Sequence, residues 1–294
     1  MTSTGSPIHV DGRVLAALDP SVYASSVAQY AGWAAARLGS QLELLHAIDQ
    51  IHGKPAATDL SGNLSLGAHE MLLDKLASVD EQRGKLAQAQ GRELLDAARA
   101  QVASAYGVDA ETRQRHGALV DTLLDIEPGV RLFVLGKRGV HADFASGHLG
   151  SNLERVVRAV HRPVLVASRA YREIERFLIA FDGSVTTRRC VDMVCASPLL
   201  NGLDAHLLTV GEADSAFDAN LEWARTQLQN AGFTPNVERI GGNADTVIAQ
   251  HVADRNIELL VMGAYGHSRI RSLIVGSTTT QLLRSCQIPV LLLR

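Results

Sequence analysis

The hydrophobic positions of this chain fall into short apolar runs separated by longer amphipathic stretches. Arg13–Leu18 is an apolar run of strand length that ends at Asp19-Pro20-Ser21. From Ser21 to Leu38, Val22, Val27, Ala28, Ala31, Ala34 and Ala35 recur at roughly helical spacing, and Gly39 supplies a stop. Gln41–Ile48 predicts a second strand. Gly53–Gly67, rich in Pro, Gly, Ser, Asn and Thr, reads as a mobile loop, and Ala68–Ala105, free of proline, predicts one or two helices. A short polar strand near Glu111–Arg115, Gly117, a helix over Ala118–Ile126 and a strand over Val130–Leu135 follow. Gly136-Lys137-Arg138-Gly139, a helix from Gly150-Ser151-Asn152 to about Val160, and a closing strand, Arg162–Ala167, complete the series.

After a charged linker, Arg169–Arg176, the same order returns. Phe177–Phe181 ends in Asp182-Gly183-Ser184, and Ala205–Val210 matches Glu43–Ile48, with Ala47 at the place of Val210. The long helical region shrinks to about Asp214–Gly232. Val237–Ile240 precedes Gly241-Gly242 and a helix over Ala244–Ala253. Glu258–Met262 then empties into Gly263-Ala264-Tyr265-Gly266, nine residues intervene, and Gly276-Ser277 opens a helix to about Arg284. Ile288–Leu293 closes the second series. The chain reads as an internal duplication.

Apolar strands alternating with helices predict parallel sheets covered on both faces. Each half is expected to be a doubly wound α/β domain of about five strands, the first spanning 1–168 and the second 176–294. The ligand site of such a sheet lies beyond the carboxyl ends of its strands, where Asp19, Asp182 and both glycine loops fall. Glycines admit close backbone approach, and the amides at a helix start attract anions, so the Gly263 loop is a candidate phosphate cradle.

Composition narrows the function classes. The 294 residues carry a net charge of −3, which leaves no footprint for nonspecific nucleic-acid binding. Met1–Pro7 has no secretory pattern, and no apolar run approaches the roughly 20 residues that cross a bilayer. Cys190, Cys195 and Cys286 form neither a disulfide framework nor a zinc spacing, as expected of reduced thiols in a cytoplasmic protein.

The spacing Gly263-x2-Gly266-x9-Gly276-Ser277, with Asp182 after the first strand of its half and Pro289-Val290-Leu291 in the closing strand, resembles the universal stress protein family (UspA-like) in its tandem form. The resemblance implies adenine nucleotide alpha hydrolase-like domains and binding of ATP, ADP or AMP, with Mg²⁺ as an optional companion of the phosphates. It places Asp182 near ribose and adenine, and the backbone of Val210 on the adenine edge. Gly263, Gly266, Gly276, Ser277 and Thr278 would cradle ribose and phosphates, with His267 and Arg269 in reach of the terminal phosphates. The first half carries a weaker set: Asp19, Ala47, Gly136, Gly139, Gly150, Ser151 and Asn152. There ten residues, not nine, separate Gly139 from Gly150; Asp143 and Phe144 oppose a phosphate while Lys137 and Arg138 favour one. The family implies a sensor or adaptor in stress adaptation, with a protein partner the sequence does not specify. It further implies that the closing strands of the two halves pair within one chain as a pseudo-dimer. A further dimer of chains is left open.

Plainer readings stand beside these. Glycines after a strand serve tight turns, and Asp19 and Asp182 suit helix capping. His46 and His206 read as hydrogen-bonded core residues. His141, His148 and His161 fit no zinc spacing, so no metal site is expected, and Cys190 and Cys195 read as helix packing. The lysine phosphate loop, the G-x-G-x-x-G turn, H-E-x-x-H and the G-x-S-x-G elbow are missing from the sequence. Without a base to orient water, catalysis has no support beyond slow ATP hydrolysis; a nucleotide-free adaptor or carrier of a small apolar ligand is the other alternative.

Overall fold

The computed structural model of the chain describes residues 11–48, 66–139, 150–212, 215–263 and 277–293. Its strands are β1 (Arg13–Ala17), β2 (Leu42–Ile48), β3 (Ala110–His116), β4 (Val130–Gly136), β5 (Val164–Ala167), β6 (Arg176–Ala180), β7 (Asp204–Val210), β8 (Asn236–Ile240), β9 (Leu259–Gly263) and β10 (Val290–Leu293). The helices are α1 (Ala24–Leu38), α2 (Leu66–Tyr106), α3 (Leu119–Ile126), α4 (Ser151–Ala159), α5 (Val185–Ala196), α6 (Ser215–Asn230), α7 (Ala244–Asp254) and α8 (Ser277–Ser285). Gly39 ends α1 in the left-handed region, at φ 58°, with its N–H turned back to the carbonyls of Ala35 and Ala36.

The strands form one ten-stranded sheet in the order β3-β2-β1-β4-β5-β10-β9-β6-β7-β8. Each half contributes five strands in the same order, and all pairings within a half are parallel. The halves meet at β5 and β10, which run antiparallel with Leu165 opposite Leu291. These two strands are buried along their whole length, so each apolar edge covers the other.

Successive strand residues point to opposite faces, which builds two core layers. One lies under α1, α2, α5 and α6 and contains Tyr30, Leu44, Phe177 and Leu207. The other lies under α3, α4, α7 and α8 and contains Leu15, Leu45, Phe133, Leu178 and Leu260. The proline-free stretch forms one continuous helix of 41 residues, α2, rather than two. At 1.5 Å per residue it is about 60 Å long. Leu95, Ala98 and Val102 in its second half enter the core, whereas Leu76, Val79 and Leu86 lie exposed.

One detail of the repeat differs from the sequence reading. Leu15 of β1 pairs with Glu43, and Leu178 of β6 pairs with His206. Leu18 N–H donates to Leu45 O as Phe181 N–H donates to Leu208 O. Glu43 therefore corresponds to His206, not to Ala205, and the match of Glu43–Ile48 with Ala205–Val210 is one residue out. Ala47 does correspond to Val210. Two leucine-rich segments look alike in sequence when set one residue apart, but a real slip of one residue would turn every side chain to the other face, and hydrogen-bond register excludes it.

Candidate functional site

In each half the chain leaves its first strand toward one side of the sheet, and the fourth strand lies on the other. This topological switch point falls between β1 and β4 and again between β6 and β9, and such points open a crevice beyond the strand carboxyl ends. In the second half the residues there are Asp182 after β6, Val210 closing β7 and Gly263 closing β9. Ser277 and Thr278 form the first turn of α8. Gly266, His267, Arg269 and Gly276 lie outside the described residues.

Asp182 is exposed and braces the start of α5. Its Oδ1 accepts from Ser184 N–H at 2.9 Å and from the Thr187 hydroxyl at 2.7 Å. The helix cap itself is Ser184, whose hydroxyl accepts from Thr187 N–H at 3.3 Å. Capping is thus divided between the two residues, and the carboxylate is fixed at the mouth by its own loop. Gly263 is needed for close packing: a Cβ there would stand 2.8 Å from Thr186 Cγ2.

The first half uses its glycines in the same way. A Cβ at Gly136 would meet Tyr23 Cβ at 2.9 Å, and one at Gly139 would meet Asp19 Oδ2 at 2.8 Å. Gly150 N–H donates to Lys137 O at 3.1 Å, and a Cβ on Gly150 would lie 3.3 Å from Arg138 Cα, which seats the start of α4 on the loop. Asp19 Oδ1 accepts from Ser21 N–H at 3.3 Å. Asn152 is exposed in the first turn of α4, after Ser151, and Ala47 is half-buried at the end region of β2. α2 crosses near the ends of β2 and β3 at Gly91, where any Cβ would collide with His46 and Gln114.

Lys137 does not face a phosphate position. Its side chain is buried and donates to the carbonyl of Cys286, just past the end of α8 in the other half. The negative end of a helix favours a cation there, while burial lowers the ammonium pKa below its ordinary value. In the second half the matching residue is Ala264, so this tie across the seam runs one way. Arg37 of α1 also crosses the seam, donating to the carbonyls of Leu199 and Asn201. Beneath it Leu38, Leu132, Pro163, Met193 and Leu291 line a cavity of about 50 Å³, far below nucleotide size.

His46 behaves as its sequence reading expects, with Nδ1 at 2.8 Å from Leu18 O. His206 does not: its Nδ1 is buried and makes no hydrogen bond among the described residues. His206, Glu238 and His251 come together under α7, a grouping that sequence spacing did not reveal. Cys190 is buried in α5 and its thiol is pushed up to about 12, first by desolvation and then by Asp182; it is packing, not a nucleophile.

Two parallel α/β halves with matched switch points define a tandem doubly wound class of fold. The family model for the universal stress protein family matches residues 12–168 and 211–294. The chain is 37% identical over 286 residues to the universal stress protein Slr1230 of Synechocystis sp., covering 96% of this chain and 99% of that one. The chain belongs to the universal stress protein family. Among solved structures, a universal stress protein from Archaeoglobus fulgidus superposes with TM-score 0.67 at 18% identity, over 96% of this chain and 98% of that one. A functionally unknown protein, PA1789, from Pseudomonas aeruginosa superposes with TM-score 0.62 at 17% identity, over 97% and 93%. These two show the shared fold. No helix among the described residues is long and apolar enough to cross a membrane.

Proposed function

We propose that the second half, residues 176–294, binds an adenine nucleotide at its switch-point mouth, and that the chain acts as a nucleotide-dependent sensor or adaptor in stress adaptation. One observation carries this reading: Asp182, Val210 and Gly263 stand at the carboxyl ends of three adjacent parallel strands, beside the strand order's reversal. In this reading Asp182 takes ribose hydroxyls and the Val210 backbone takes the adenine edge. Gly263, Gly266, Gly276 and the amides of Ser277 and Thr278 hold the phosphates, with His267 and Arg269 on the terminal groups. ATP, ADP and AMP share this chemistry, and Mg²⁺ would accompany the phosphates. Family-level support comes from a universal stress protein solved in complex with cAMP and one from Arabidopsis thaliana solved with AMP bound.

The first half, residues 1–168, is the weaker site in this proposal. Its Gly139 lies against Asp19 and its lysine is committed to the seam, which favours a structural role for that loop.

The test is the melting temperature with and without ATP and Mg²⁺, for wild type and Gly276→Glu. A ligand that binds only the folded state stabilises it by about 2.7 kcal/mol at a hundred times its dissociation constant. A shift in wild type that disappears in a folded Gly276→Glu protein supports the reading. No shift in wild type overturns it and leaves the nucleotide-free adaptor. Phosphate release abolished by Asp182→Ala would instead mark a slow hydrolase.

A further inference from the structure

We propose that His206 of β7, Glu238 of β8 and His251 of α7 form a binding site for one zinc-class divalent ion, with water in the fourth position. A ligand atom from each of the three residues lies within 4.8 Å of the others. Tetrahedral zinc with bonds of about 2.1 Å needs donors about 3.4 Å apart, so metal binding would draw the three side chains together. The imidazole centroids are 5.8 Å apart with planes at 71°, so the rings approach edge to face rather than stacked.

The polar atoms at this place are poorly served by the protein itself. His206 Nδ1 and His251 Nε2 are both buried and make no hydrogen bond among the described residues. His251 is 5% exposed. Buried polar atoms of this kind are costly unless something pairs with them. Desolvation lowers the pKa of both rings, and for His206 the neighbouring His251 adds to it.

The charges around the cluster are mixed. Arg255 lies 2.8 Å from Glu238 Oε1 and is about half exposed; it opposes a dication electrostatically but also orients the carboxylate as an outer partner. Asp204 and Asp254 act in the opposite sense on the histidines. Two imidazoles and one carboxylate suit zinc, whereas calcium and magnesium prefer oxygen-rich sites.

The first half shows that the fold does not require these residues. By strand register Glu43 stands where His206 does, and Arg113 stands where Glu238 does. Gly117 and Gly242, at φ 128° and 130°, align the starts of α3 and α7, which puts Ile126 at the place of His251. An ordinary core position has been given a histidine in one half only, facing another histidine and a glutamate. Bound metal would tie the edge strand β8 to β7 and α7. His206 precedes Val210 by four residues along β7, about 13 Å, so the site is separate from the proposed nucleotide mouth.

The experiment is equilibrium dialysis of the EDTA-stripped full chain against Zn²⁺ alone, with Co²⁺ visible spectroscopy, on wild type, His251→Ile, Glu238→Gln and the exposed-residue control His116→Ala. Nucleotide is left out, so the result is independent of the function proposed above. The expected result is one zinc per wild-type chain and a four-coordinate Co²⁺ spectrum without thiolate charge transfer. His116→Ala keeps both, and each site variant weakens binding by more than the about 10–100-fold that losing an outer partner costs. Glu238→Gln, at a half-exposed side chain, preserves the test if His251→Ile fails to fold. No zinc on the wild type, unchanged affinity in a folded site variant, or a thiolate signature removed by Cys195→Ser would each overturn the proposal.

Discussion

The two halves place the same five strands in the same order, yet treat one interior position in opposite ways. Under α3 in the first half, Glu43 is fully buried and held by Arg13 at 2.9 Å and Arg113 at 3.1 Å. Under α7 in the second half, the same register holds His206 and Glu238 beneath His251. The divergence follows the residue at the start of the fourth strand. There the second half has Glu258, which takes Arg176 at 2.6 Å and accepts its backbone N–H through the other oxygen at 2.9 Å. The first half has Arg131 at that place, so Arg13, the counterpart of Arg176, turns inward to Glu43 instead. A duplicated frame thus keeps its strand order while the charges at equivalent positions differ: Arg131, Glu43 and Arg113 stand in the first half where Glu258, His206 and Glu238 stand in the second.

Removing the centre of the first cluster is the strongest way to break this contrast. Glu43→Ala strands two guanidinium groups, and breaking a sealed pair costs about 3–5 kcal/mol. Arg13 and Arg113 keep 26% and 37% exposure, so water relieves part of the penalty. The expected loss is about 2–3 kcal/mol, read from urea unfolding as a lower midpoint at unchanged slope.

Exchanging the helix residue sharpens the comparison with a gain. His251→Ile installs the residue type of Ile126 and removes a buried unpaired nitrogen. In EDTA it is expected to stabilise the chain by about 1 kcal/mol, whereas Ile126→His buries a polar ring on the other side and destabilises by a similar or larger amount. Changes of opposite sign in melting temperature would sustain the equivalence of the two positions; loss of stability in both would sink it.

The smallest effect concerns the one-way tie across the seam. Lys137→Met loses the bond to the Cys286 carbonyl but also relieves a buried charge, so its net effect at neutral pH is expected to be under about 1 kcal/mol. The pH trend is more telling. Burial depresses the ammonium pKa, so between that value and the ordinary 10.5 the unfolded chain binds the extra proton. Stability then rises with pH across this window in wild type relative to Lys137→Met. A flat difference between the two proteins would mean that Lys137 is not buried as a charge.

Much of the architecture was legible before the fold was known. Gly39 and the glycines that close β4 and β9 mark stops whose physics is local, and the apolar closing strands mark surfaces that must be covered. The helix over Ala68–Ala105 was legible in kind but not in continuity, since propensity is high along the whole stretch and does not by itself separate one helix from two; residues 53–65 of the expected loop lie outside the described residues. Asp19 and Asp182 suit helix capping in sequence, but α1 begins without a side-chain cap and Ser184 caps α5; each Asp instead accepts the backbone N–H two residues on. The direction of Lys137 was not legible: its partner, the end of α8, is 149 residues away.

The histidine cluster was missed for a specific reason. Set one residue out of step, His206 aligns with Leu44 and looks like an ordinary substitution in a leucine-rich strand. In the true register it replaces Glu43, and the paired change of Ile126 to His251 becomes visible.

The sequence by itself determined that this chain is a duplicated, doubly wound α/β protein with candidate phosphate loops after the fourth strand of each half, because period, turn chemistry and glycine spacing are local and are written into neighbouring residues. Tertiary structure alone decided the register of the repeat, the antiparallel register with which the expected seam strands β5 and β10 meet, the inward turn of Arg13 and the meeting of His206, Glu238 and His251. Those depend on which backbone amide bonds which carbonyl across the sheet, and hydrogen-bond pairing between distant strands leaves no mark on the spacing of residues along one of them.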